Sequence, residues 1–369
     1  MRALMIPLLI AVSLIGLLAL ASCDRQTDAA QNPGEGISKK SAQTAATDKL
    51  FLAGQTGMVP MRARRSAFRV RRCMNMGNAL EAPQEGDWGY RIRSSDFYII
   101  RQAGFDTVRL PIRWDAHASH RPPYRIDPAF MRRIFEVTKQ AQDAGLGVIL
   151  DMHNYEALMK HPARERARFL SLWAQIAHAF SDAPDSVYFE LYNEPTLAIS
   201  SEQLSLLYAE VLPILRKENP TRKVILGGNS WNSIEALGAL RLPKDANLVA
   251  TFHDYSPHEF THQGAEWMEP KLPLGRHYGT PADLADKRSI YAQARAFQKR
   301  TGLPVLVGEF GVINKVPLAE RIAWIAERRR TIERAGLSWC VWDFAGAFNT
   351  YDTGRRDWLP GMRAALTGR

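Results

Sequence analysis

From residue 73 onward, short apolar runs alternate with longer stretches in which apolar residues recur every three to four positions. The short runs predict strands at Cys73–Met76, Thr107–Leu110, Gly147–Leu150, Val187–Leu191, Val224–Leu226, Leu248–Phe252, Val305–Val307 and Ser338–Trp342. The longer stretches predict helices at Ser94–Ala103, Asp127–Ala144, Ala163–Phe180, Ser201–Glu218, Ala282–Arg300 and Leu318–Ala335. The second is the best delimited, with Asp127 as N-cap, Pro128 in the first turn and Gly145 as the stop. Eight strands with intervening helical segments predict an α/β protein, a single (β/α)8 TIM barrel. A doubly wound open sheet is the structural rival, but no glycine-rich phosphate loop follows the first strand to favour it.

The pattern also sets the limits of the folded part. Residues 1–22 comprise Met-Arg, an apolar run from Ala3 to Leu20, and a small-residue segment before Cys23, the form of a secretory signal. Leu20-Ala-Ser-Cys23 resembles a bacterial lipobox, which makes Cys23 the lipid attachment site and the chain an exported envelope lipoprotein. An ordinary cleaved signal, giving a secreted protein, or an uncleaved anchor helix are the alternatives; the run is about long enough to span a bilayer. Residues 23–66 are rich in Ala, Gln, Gly, Ser and Thr and read as a flexible tether. Residues 67–369, about 300 residues, suit one barrel domain.

Charge and cysteine content change this picture little. The formal net charge is +10, of which Arg2 and the seven bases and four acids of residues 24–66 account for +4. Arg62, Arg64, Arg65, Arg69, Arg71 and Arg72 cluster before the first strand and read as a solvated edge. No basic stripe interleaved with aromatics points to nucleic acid. Cys73 and Cys340 fall in the first and last strands, neighbours in a closed barrel. A disulfide is open to them in an oxidising compartment, yet cross-strand disulfides need uncommon geometry, so two buried free thiols are expected.

In barrels of this type, chemistry sits at the carboxyl ends of the strands. Those ends carry Asn75, Asn78 and Glu81; Arg109 to Trp114; Asp151-Met-His-Asn-Tyr155; Asn193 and Glu194; His253-Asp-Tyr255; Glu309; and Trp342-Asp343. Each alone has a bland reading: an ion-pair arginine, a satisfied core histidine, a packing tryptophan. Together they suggest a site. Glu194 and Glu309 lie on strands four and seven, on opposite sides of the ring, where two carboxylates can address one glycosidic bond. Arg109 and Tyr255 are placed to hold Glu309 ionised. His253 is placed to orient Glu194, Asn193 to bind a sugar 2-hydroxyl, and Trp342 to floor one pyranose ring. Trp88, Trp114, Tyr155, Trp231 and Trp267 are further candidates for sugar stacking.

Leu191-Tyr-Asn-Glu-Pro195 and Val307-Gly-Glu-Phe-Gly311 resemble the acid/base and nucleophile motifs of glycoside hydrolase family 5, the cellulase family of clan A. Asn75–Glu81, Val108-Arg-Leu-Pro111, Asp151–Tyr155, His253–Tyr255 and Trp339–Asp343 are similar to further motifs of that family. The resemblance implies a retaining glycosidase with Glu194 as acid/base and Glu309 as nucleophile. Arg109, His153, Asn193, His253, Tyr255 and Trp342 complete the subsite where the bond is cut. Many members carry two consecutive histidines after strand three; here Asn154 follows His153. The expected substrate is a β-1,4-linked glucan of cellulose or mixed-linkage type, with β-mannan next, handled by a monomer needing no metal or other cofactor. Two rivals stand beside this. A metal-dependent hydrolase would use Asp151, His153, His253 and Asp254 but leaves both glutamates unexplained. A lipid-anchored, non-catalytic polysaccharide-binding barrel would have no need of the acid and nucleophile pair.

Overall fold

The computed structural model describes residues Ser66–Arg369. The stretches read as a signal segment, a lipid attachment site at Cys23 and a tether lie, up to residue 65, outside the described residues. Eight parallel strands close into one barrel in sequential order. They are β1 (Arg72–Asn75), β2 (Thr107–Ile112), β3 (Gly147–Met152), β4 (Val187–Glu190), β5 (Val224–Gly227), β6 (Leu248–His253), β7 (Val305–Glu309) and β8 (Ser338–Val341). The helices following them are α1 (Ser94–Ala103), α2 (Pro128–Asp143), α3 (Pro162–Ala179), α4 (Ser201–Glu218), α5 (Ile234–Ala239), α6 (Pro281–Thr301), α7 (Leu318–Arg334) and α8 (Met362–Thr367). All eight expected strands and six expected helices are present, shifted at their ends by at most two residues. The six-residue helices α5 and α8, and a small hairpin of Tyr351–Asp352 with Asp357–Trp358, went unread in the sequence because each is shorter than the pattern that would announce it.

Local chemistry explains the best-placed boundaries. The Asp127 carboxylate accepts from the backbone N–H of Ala129 at 2.6 Å and Phe130 at 2.9 Å, satisfying donors that the first turn of α2 leaves open. Gly145, at φ 77°, takes the left-handed turn that stops α2. Ser200 and Gln203 form a reciprocal capping box on α4.

Strand alternation divides the core into two compartments. Val108, Leu110, Val148, Leu150, Phe189, Leu226, Phe252, Val307 and Trp339 belong to the large core beneath the helices. Cys73, Ile149, Tyr188, Ile225, Val249, Leu306 and Cys340, with Val70, form a separate apolar plug inside the barrel. Two residues further along several of these strands the inner face turns polar: Asn75, Asp151 and Glu190, all fully buried. The barrel is thus apolar at the bottom and charged at the top, which places the site.

The expectation of two free thiols is corrected. Cys73 and Cys340 are register partners across the β1–β8 seam and are joined by a disulfide, with Cα atoms 4.1 Å apart. Both side chains face the barrel interior at the same level, where they meet directly.

Candidate active site

Arg109, in the middle of β2, is the hub of the charged layer and has no exposed surface. Its Nε donates to Glu190 Oε2 at 2.7 Å and its Nη2 to Glu190 Oε1 at 2.9 Å. Nη2 also meets Asn193 Oδ1 at 2.7 Å and Asp151 Oδ2 at 3.0 Å. Nη1 donates to Asn75 Oδ1 at 3.0 Å and to Glu309 Oε1 at 2.7 Å. Asn75 is itself tied to the backbone carbonyls of Gly308 and Val341, fixing that edge of the layer.

Glu309 ends β7. Its second oxygen accepts from the Tyr255 hydroxyl at 2.8 Å. Two donors aimed at one carboxylate suit an anion. Glu194 stands four residues beyond the end of β4. Its Oε1 lies 2.6 Å from His253 Nδ1, and that same nitrogen is 3.7 Å from Glu309 Oε2. One carboxylate oxygen of Glu194, one of Glu309 and a ring nitrogen of His253 all lie within 4.8 Å of one another.

The two glutamates differ in their surroundings. Burial pushes the Glu194 carboxyl up to about 7, against the pull of His153 and Arg109. Burial pushes His253 down to about 4, so its imidazole is neutral and adds no cation beside Glu194. Gly308 lets this ring sit close: a Cβ there would come within 3.0 Å of His253 Nε2.

His153, also pushed down to about 4 by burial, places Nδ1 2.6 Å from Asp151 and stacks parallel to Trp342 at 5.7 Å. Gly77 passes under the Trp342 ring, where a Cβ would lie 2.9 Å from it. Asn193 Nδ2 is 3.4 Å from His153 Nε2, and the Asn193 carbonyl is held by Asn232 at 3.1 Å. Behind Trp342, Asp343 accepts from Asn78 at 2.6 Å, and Glu81 accepts from the backbone of Asn78 and Ala79. Burial pushes Glu81 up to about 8 and Asp343 to about 7.

The structure thus gathers Arg109, His153, Asn193, Glu194, His253, Tyr255, Glu309 and Trp342 around one mouth. Two stacking candidates are corrected. Trp114 is fully buried, edge-on to Phe130 under the helices, and Tyr155 is fully buried with its hydroxyl on Glu165. Just past a strand end, the side of the chain a residue faces no longer follows the alternation that sequence reading relies on. Trp88, Trp231 and Trp267 keep 44%, 52% and 44% of their surface exposed and remain available. Glu190 was missed: it reads as one more residue of an apolar strand. Its signal was a charge at the inward parity of Val187–Glu190.

The metal-ligand reading finds its donors largely engaged, although Asp151 Oδ1 and His253 Nε2 have no hydrogen-bond partner. Asp151 is held by Arg109 and His153, and Asp254 by Arg328 at 3.2 Å and Tyr291. In the Glu194–His253–Glu309 cluster, both oxygens of Glu309 already accept hydrogen bonds, one of them from a guanidinium that repels a cation.

Comparison with known proteins gives the family. The family model for cellulase (glycosyl hydrolase family 5) matches residues 74–347. Endoglucanase H of Acetivibrio thermocellus is 34% identical over 278 residues, covering 75% of this chain and 30% of that protein, so the chain spans under a third of that relative's length. Thermotoga maritima Cel5A, solved with cellobiose and with mannotriose, is 40% identical; the match covers 80% of this chain and 97% of that one, with TM-scores of 0.79 and 0.78. The cellulose synthase subunit Z of Clostridioides difficile is 32% identical with a TM-score of 0.78, covering 81% of this chain and 99% of that one. The chain belongs to the cellulase family, glycosyl hydrolase family 5.

Proposed function

We propose that the chain is a retaining endo-β-1,4-glucanase in which Glu194 is the acid/base and Glu309 the nucleophile. The observation that carries this is the pair itself: two carboxylates with oxygens within 4.8 Å, one raised to about 7 and the other held by a guanidinium and a phenol. A separation near 5 Å suits double displacement; inversion needs room for a water between the carboxyls, at about 6.5–9.5 Å.

Protonated Glu194 gives its proton to the glycosidic oxygen as Glu309 attacks the anomeric carbon, and the leaving chain departs as an alcohol. Arg109 and Tyr255 hold the attacking carboxylate in line. Glu194, now ionised, takes a proton from water, whose oxygen attacks the anomeric carbon and releases Glu309. Two inversions give net retention. Asn193 is placed to bond the sugar 2-hydroxyl and Trp342 to support the ring.

A β-1,4-glucan is the substrate favoured by the endoglucanase relatives and by the cellobiose complex of Cel5A; its mannotriose complex supports β-mannan as a second reading. The test is digestion of cello-oligosaccharides and manno-oligosaccharides with product anomers followed by NMR. New β-anomeric reducing ends on glucan support the proposal; initial α-anomers overturn the mechanism, and no cleavage of either series overturns the activity. We further propose acylation at Cys23, supported by the lipobox-like Leu20–Cys23 segment and by a disulfide that suits an oxidising compartment. Failure of a Cys23→Ser chain to differ from wild type in palmitate labelling would remove it.

A further inference from the structure

We infer that Glu190 is a positioning residue for the nucleophile: it fixes the plane of the Arg109 guanidinium and thereby aims Nη1 at Glu309. This rests on the roles proposed above for Glu309 and Glu194.

Glu190 and Asp151 are register partners on adjacent strands, both fully buried. Two carboxylates side by side in a dry interior repel strongly unless a cation lies between them. Arg109 is that cation, yet it does not divide itself evenly. Its two-toothed edge, Nε and Nη2, goes to Glu190, whereas Glu309 and Asp151 each receive one contact. A planar guanidinium held at Nε and Nη2 has no rotation left, so the direction of Nη1 follows. Glu190 has no surface at the mouth, so its influence on the reaction runs through Arg109. The arrangement also leaves Glu309 bound through a single Arg nitrogen.

The charged and titratable groups around this pair are Arg109 on β2, Asp151 and His153 at β3, Glu194 after β4, His253 and Tyr255 at β6 and Asp343 after β8. Replacing Glu190 by Gln loosens the Arg109 fork and so misaligns the donor that Nη1 offers to Glu309.

The experiment compares wild type, Glu190→Gln and Glu190→Asp on cellotetraose and on 2,4-dinitrophenyl β-cellobioside. Melting curves establish folding; if the Gln variant does not fold, the Asp variant carries the test. The expected result is a kcat lower by about ten- to a hundredfold on both substrates, the range for losing a charged hydrogen bond. KM stays near wild type, and Asp lies between Glu and Gln. A kcat equal to wild type, or a loss carried wholly in KM, overturns the inference, as does full recovery on the activated substrate, which would place the effect on Glu194 instead. Failure of the wild type to cleave either substrate strikes the functional proposal rather than this one.

Discussion

The assignment of Glu194 as acid is tested by Glu194→Gln on two leaving groups. The wild-type carboxyl is raised to about 7, chiefly by burial. The acid is then roughly nine-tenths protonated at pH 6 and roughly one-tenth at pH 8, so kcat/KM falls as pH rises through about 7. Its partner His253 is pushed down to about 4 and stays neutral across this window, leaving the basic limb to Glu194. Glutamine cannot give up a proton, so on cello-oligosaccharides the loss is the contribution of general acid catalysis, about 10²- to 10⁴-fold. With 2,4-dinitrophenolate as leaving group no proton is needed, and attack by Glu309 proceeds. The second step still lacks its base. The glycosyl–enzyme ester therefore accumulates, visible as a burst of phenolate and a mass increase on the peptide carrying Glu309, and azide speeds turnover. Because Glu194 is partly exposed, with His253 as its hydrogen-bond partner, the variant keeps its fold. A variant that loses the same factor on both substrates, or that retains the basic limb, refutes the assignment.

Further expectations follow from contrasts in burial. Trp231→Ala and Trp267→Ala raise KM on long oligosaccharides with little change in melting temperature, whereas Trp114→Ala destabilises by about 3–5 kcal/mol as a core cavity; denaturant titration and kinetics separate the two kinds. Glu81 and Asp343 have folded-state values raised above those of an unfolded carboxylate, so the native state holds protons that the unfolded state has released. Stability therefore falls as pH rises from near 4 towards about 8, and Glu81→Gln flattens that slope by up to about 1.4 kcal/mol per pH unit; a slope unchanged in urea melts counts against it. Reduction of the Cys73–Cys340 bond lowers stability by about 2–5 kcal/mol, and equal melting curves with and without reductant would contradict this.

The barrel was legible because a strand covered by helices outside and plugged inside must be apolar on both faces, and eight such runs stand out between amphipathic stretches. Glu309 stood out as a candidate because a carboxylate ending an apolar run is costly to bury, and Glu194 because it follows such a run closely. What stayed hidden depends on partners distant in sequence. Glu190 looks like a charge misplaced in an apolar strand until Arg109, 81 residues earlier, is set against it. Cys73 and Cys340 are 267 residues apart, and only barrel closure at matching register brings them into contact. Trp114 and Tyr155 were misjudged for the opposite reason: beyond a strand end, facing is decided by tertiary packing against Phe130 and Glu165.

The bond between Cys73 and Cys340 turns the barrel from a horseshoe held shut by hydrogen bonds into a covalent ring. Every loop that rims the mouth between β1 and β8 lies within that ring. A protease that cuts one of these loops opens the ring without releasing either piece. The two fragments stay joined as one molecule until the disulfide is reduced. The loops best placed to diverge for new substrates are therefore also those where a nick does least to scatter the chain.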